Sequence, residues 1–245
     1  MNTHMKARFF VTVFIVLLLG TLSTGCSGVN GGSAVSQPSS PDASAVYAVI
    51  NGEDITYAEL DYYKLQLRSQ VTIDIIEQFS VEYSADFWQI PIDGTTPEQR
   101  LCELALNECR VAKIKLVLCR ENGIYTDISF NGLKALANEY NLSKVNSAAA
   151  GLKSIDLDSF YTYYIDTGVM QLKNILAEGK LKPAEDEVQQ FIMSMPQNQI
   201  DSLEGESPDA YAQRMLVSQK FDALIAQLLN ESSTVITGSA EESSD

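Results

Sequence analysis

TPEQRLCELALNECRVAKIKLVLCRENG, residues 96–123, decides the fold class. Thr96 is a preferred helix N-cap, Pro97 suits a first turn where its missing N–H would have no partner, and Gln99 is placed to bond back to the cap. Asn122-Gly123 supplies the stop, so the stretch predicts one long helix. Upstream, the loop DFWQIPIDGT (86–95) interrupts with Pro91 and Gly94. Before it, Leu60, Tyr63, Leu67, Val71 and Ile75 recur at three and four residues, the period of one buried helical face. Thr56 and Glu59 are spaced as a capping box opening that helix, and Val46 to Ile50 reads as a short strand or hairpin arm ending at the turn Asn51-Gly52. Downstream, helices are expected near Phe130 to Tyr140 and Leu157 to Leu176. Another runs from Pro183 to just before Pro196, and a last one from Ser207-Pro208 through Tyr211, Met215, Phe221, Leu224 and Leu228. The expected fold is all-α, with one helical body over residues 46–230.

The N-terminus reads differently. Lys6 and Arg8 precede the apolar run FFVTVFIVLLL (9–19) and the small-residue stretch GTLSTGC (20–26), the order of a secretory signal over residues 1–25. The run is short of the roughly 20 apolar residues a spanning helix needs, which disfavours a permanent anchor. LSTGC resembles the lipobox of bacterial lipoproteins, although Ser23 stands where that motif usually has Leu. The resemblance implies that Cys26 carries the acyl chain, palmitate among them, and becomes the first mature residue. The alternative is an ordinary leader whose cleavage site lies beside a cysteine. Residues 26–45 are rich in Ser, Gly and Pro and are expected to form a flexible linker. Residues 231–245, rich in Ser and Glu, are expected to be a disordered acidic tail.

Charge narrows the partners. The chain has 17 Lys+Arg against 32 Asp+Glu, a formal charge of −15, and loses Lys6 and Arg8 with the signal. Nucleic acid is a poor partner for such a body, because affinity there comes mainly from neutralised phosphates. Anionic headgroups would repel it too, so contact with the membrane is expected through the lipid only. Cys102, Cys109 and Cys119 all fall on the helix quoted first; Cys102 and Cys109 are about 10 Å apart along its axis, beyond disulfide reach. They read as buried free thiols, with an intermolecular disulfide left open by their odd number. No CxxC pair or neighbouring His favours a metal site.

Four segments together carry a likeness. AVINGEDITYAELDYYK (48–64) resembles the opening of the N-terminal domain of the SurA and PrsA secreted foldases, with its short strand, Asn-Gly turn and helix start. LALNECRVAKIKLVLCRENGI (104–124) resembles that domain's next helix, with Cys119 in place of a small Ala. LKPAEDEVQQFI (181–192) is similar to the helix that ends the domain, and AYAQRMLVSQKFDALIAQLL (210–229) to the helix that folds back on it. The resemblance implies a helical chaperone body. It departs from the family where a parvulin isomerase domain normally lies between the last two helices: here only residues 196–206 separate them. The single His of the chain, His4, falls in the signal.

Without another histidine, Ser-His and Cys-His nucleophile pairs cannot form, and no phosphate-binding glycine loop is present. Glu185, Asp186 and Glu187 read as a solvated helix start. An enzyme is therefore not expected, nor a cofactor. Binding residues are sought among the aromatic clusters Tyr62, Tyr63, Phe87, Trp88, Phe160, Tyr161, Tyr163 and Tyr164, with Met193 and Met195 as adaptable surface. Consecutive positions on a helix differ by about 100°, so at least one of Phe160, Tyr161, Tyr163 and Tyr164 should leave the core stripe. The expected function is a membrane-anchored extracytoplasmic lipoprotein that binds unfolded exported polypeptides without isomerase activity. The alternative is an assembly lipoprotein holding one folded partner at the cell surface or in a spore-related complex.

Overall fold

A computed structural model describes residues 42–146 and 155–237 of the 245-residue chain. The signal, Cys26 and nearly all of the linker lie outside the described residues. The elements are β1 (Val46–Ile50), β2 (Glu53–Thr56), α1 (Tyr57–Phe79), α2 (Pro97–Glu121), α3 (Phe130–Asn146), α4 (Leu157–Ala177), α5 (Glu185–Ser194), α6 (Gln197–Asp201), α7 (Pro208–Glu231) and β3 (Thr234–Ile236). The body is mainly helical, as expected, with a small antiparallel sheet ordered β2-β1-β3.

Local chemistry sets most boundaries. Asn51 (φ 49°) and Gly52 (φ 87°) take the left-handed conformations of a tight hairpin turn, which pairs Ile50 with Glu53. The first N–H groups of α1 have no partner within the helix. Tyr57 N–H donates to Ala45 O (3.0 Å), Ala58 N–H to Ala43 O (2.9 Å) and Glu59 N–H to Thr56 Oγ1 (3.2 Å). The linker therefore ends by Asp42, three residues earlier than its composition suggests, because the helix start needs these carbonyls. At α2 the expected capping box is complete: Gln99 N–H donates to Thr96 Oγ1 (3.1 Å) and Thr96 N–H to Gln99 Oε1 (2.9 Å). Gly123 (φ 73°) ends that helix.

α2 is the central element, packed against α1, α4 and α7. One core region joins the sheet to α2 and α7 through Ala48, Ile50, Ile55, Cys109, Phe221 and Ile225. A second lies among α2, α3 and α4, and a third fixes the loop residues Phe87 and Trp88 against Val71, Ile75 and Leu101. The expected α1 face holds: Leu60, Val71 and Ile75 are buried, Tyr63 and Leu67 half-buried.

Two expectations need correction. The start of the supposed acidic tail is ordered: Glu231 closes α7 and Thr234–Ile236 pairs with β1, Val235 opposite Val49. Thr, Val and Ile are good strand residues, and the open edge of β1 supplies the ladder that the Ser-rich context hides. In addition, Glu59 makes no return bond to the Thr56 backbone; its side chain turns into the core.

Candidate functional site

α4 brings most of the candidate aromatics together, and its packing decides their roles. Tyr161 is 1% exposed; its hydroxyl donates to Glu59 Oε1 (3.0 Å), while Lys113 Nζ donates to Glu59 Oε2 (3.1 Å). Tyr62 and Tyr63 meet Tyr161 edge-on at 4.9 and 6.0 Å between ring centroids. Tyr62 Oη also lies 3.2 Å from Thr162 Oγ1. Phe160 is buried, and Tyr164 stacks on Tyr125 at 3.9 Å, with Tyr125 Oη donating to Tyr164 O (2.7 Å). Burial raises the Tyr63 and Tyr161 hydroxyls above their ordinary pKa, so both remain protonated donors at neutral pH.

Of the candidate binding aromatics, Trp88, Phe160 and Tyr161 are buried and Tyr62, Tyr63 and Tyr164 half-buried. α4 is covered on several sides by α2, α3 and α1, so neighbouring aromatics find buried partners in different directions. Tyr163, 58% exposed, is the one that leaves the core stripe. Trp88 is buried in a different core region, with the Arg68 guanidinium 3.9 Å over its ring. Met195 is buried as well, whereas Met193 is 83% exposed.

The open concavity lies farther along α4. A groove of about 930 Å³ lies between α4 and the first half of α7, with Lys182 and Pro183 also lining it. Val169, Met170, Met215 and Val217 supply its apolar wall, and Asp166, Lys173, Glu178, Lys182 and Arg214 its charged rim. Met170 is 59% exposed, as accessible as Tyr163. Lys173 is held in place, donating to Ser218 Oγ (3.0 Å) with its ammonium 4.9 Å over the Phe221 ring. Arg214 is clamped by both carboxylate oxygens of Glu206 (3.1 and 2.9 Å). A shallower depression around Tyr163 and Thr162 shares Asp166 with the groove. Tyr163, Asp166 and Met170 are spaced three and four along α4, so they form one row leading into it.

Sequence reasoning missed Val169, Met170 and Met215. One signal was available: Met170 follows Tyr163 by two turns, off the row Tyr161, Ile165, Gly168 and Leu172 that α4 buries.

Burial pushes the Cys109 thiol up and Cys119 up to about 11, so neither is a thiolate at neutral pH. Cys102, expected to be buried, is half-buried, with Sγ 3.2 Å from Tyr47 Oη. Glu187 accepts from Ala184 N–H (2.7 Å) and from Lys220 Nζ (2.6 Å), which makes it a helix cap and ion-pair partner. No three His, Cys, Asp or Glu converge on a metal position among the described residues, and no described helix is long and apolar enough to cross a membrane.

In comparisons with known proteins, no family model, no curated protein and no solved structure matches this chain.

Proposed function

We propose that this chain is an extracytoplasmic lipoprotein, anchored through Cys26, that binds unfolded segments of exported polypeptides as a chaperone without isomerase activity. The observation that carries the reading is the α4/α7 groove, whose exposed Met170 and half-buried Met215 give an adaptable apolar wall. Methionine side chains reshape at low cost and suit weak binding without sequence preference. The likeness of four ordered segments to the SurA and PrsA N-terminal domain supports the same reading. Client apolar side chains would enter the groove reversibly, and the fixed charges of Lys173 and Arg214 would keep its mouth open to water.

The test is suppression of aggregation of a reduced, unfolded reference protein by the full chain. Met170→Ser combined with Met215→Ser should lower suppression several-fold while leaving the melting temperature nearly unchanged. Undiminished suppression by a folded double variant would remove the groove from the function.

A further inference from the structure

The outer edge of β3 differs in kind from the groove: it offers backbone groups rather than an apolar wall. Asn51 N–H donates to Ser233 O (3.1 Å) and Thr237 N–H to Tyr47 O (2.9 Å), and Val49 lies opposite Val235 in the same register. In an antiparallel ladder the directly bonded pairs alternate with pairs whose backbone groups point away. Ser233, Val235 and Thr237 therefore face β1, and the N–H and C=O of Thr234 and Ile236 face outward. β3 is the last strand of the sheet, so no described strand meets them. Side chains reinforce the edge: Val235 is 59% and Ile236 55% exposed, on opposite faces of the strand. Lys, Pro and bulges, which commonly protect such edges, are absent from β3.

Charge selects the occupant. A second copy pairing through β3 would bring two strongly acidic bodies together, since the chain carries a formal charge of −15 and the exposed Glu231 closes the helix that leads into the strand. Like charges repel. An extended segment with basic flanks meets complementary charge instead, and its own backbone supplies the missing partners.

We propose that the β3 edge captures an extended, basic-flanked polypeptide segment as an added strand, paired to the outward groups of Thr234 and Ile236. Backbone pairing reads no side chain, so the surface would serve many sequences. This rests on the polypeptide-binding reading above but not on the groove, since about 20 Å of α7 separates Ser218 from Glu231.

The probe is a short fluorescent peptide of alternating Val and Thr with two lysines at each end, titrated into the full chain in detergent and followed by anisotropy. Binding is expected, weakened at least tenfold when alternate peptide amides are N-methylated or when the lysines become glutamates. Ile236→Pro should weaken it equally, because that N–H points outward and its loss costs no bond to β1. The N-methylated peptide tests the same pairing without altering the protein, should Ile236→Pro fail to fold. Absence of binding, or equal affinity for the N-methylated or glutamate-flanked peptide, would overturn the proposal. So would a concentration-dependent dimer abolished by Ile236→Pro, which would assign the edge to a second copy. The Met170/Met215 variant keeps peptide binding if the two surfaces are separate, so failure of the groove and failure of the edge are told apart.

Discussion

Glu59 and Lys113 form an ion pair with Oε2 and Nζ 3.1 Å apart, and their side chains are 1% and 2% exposed. Tyr161 bonds the other carboxylate oxygen from α4, while Tyr63 and Cys109 crowd the pair from α1 and α2. A charge buried so deeply is tolerated only because each partner answers the other. Lys113→Met should cost about 3–5 kcal/mol in a denaturant melt, because it strands the carboxylate. Lys113→Met combined with Glu59→Leu should recover much of that loss. A double variant as unstable as the single one would mean that the pair contributes through packing alone.

The same carboxyl should leave a pH signature. Burial raises the Glu59 pKa above its ordinary 4.5, with Lys113 and Tyr161 opposing the rise. Over the window that opens at 4.5 and extends upward to the raised value, the folded form binds a proton that the unfolded chain has released. The contribution of Glu59 is thus fully present below 4.5 and declines as pH rises through the window. Stability of the wild type relative to Glu59→Gln, measured by urea melts from pH 4 to 8, should fall with rising pH. A flat difference would mean that Glu59 titrates as it does in the unfolded chain.

Tyr161 and Tyr163, two positions apart on α4, should separate packing from binding. Tyr161→Ala opens a core cavity and removes a donor from Glu59, an expected loss of about 3–5 kcal/mol. Tyr163→Ser alters a surface side chain and should stay within about 0.5 kcal/mol. Client binding should nonetheless weaken in Tyr163→Ser, because that ring heads the row leading to Met170. Calorimetry and aggregation assays on the same samples check both halves.

Gly168 marks a close approach within the core. A Cβ there would lie 2.5 Å from a Tyr125 ring carbon and 2.8 Å from its hydroxyl oxygen. Gly168→Ala should displace the ring from its stack on Tyr164 and cost about 1–3 kcal/mol by overpacking, despite the better helix propensity of Ala. A thermal shift toward higher stability would show that Tyr125 swings aside freely.

Anchoring is testable apart from the body. Cys26→Ala should release the protein from the membrane fraction or leave its leader uncleaved, since each buried CH₂ of an acyl chain contributes roughly 0.8 kcal/mol. Normal processing together with full membrane retention would refute the lipid site.

What the sequence by itself determined is what neighbouring residues settle between themselves. Thr96, Pro97 and Gln99 start α2, and Asn51-Gly52 turns the hairpin, because caps and tight turns satisfy backbone groups within a few positions. The period of Leu60, Val71 and Ile75 likewise foretold the buried face of α1. Tertiary structure decided everything that depended on a distant partner. Glu59 has the spacing of a capping residue, yet its partners Lys113 and Tyr161 lie 54 and 102 positions away. Thr234 to Ile236 became a strand only because β1, nearly two hundred residues earlier, left an edge unpaired. On α4, the choice of Tyr161 for the core and of Tyr163 and Met170 for the surface followed from where α1, α2 and α3 covered the helix. A helix's own sequence states its polar and apolar rows, but which row meets solvent depends on the elements that arrive to bury the others.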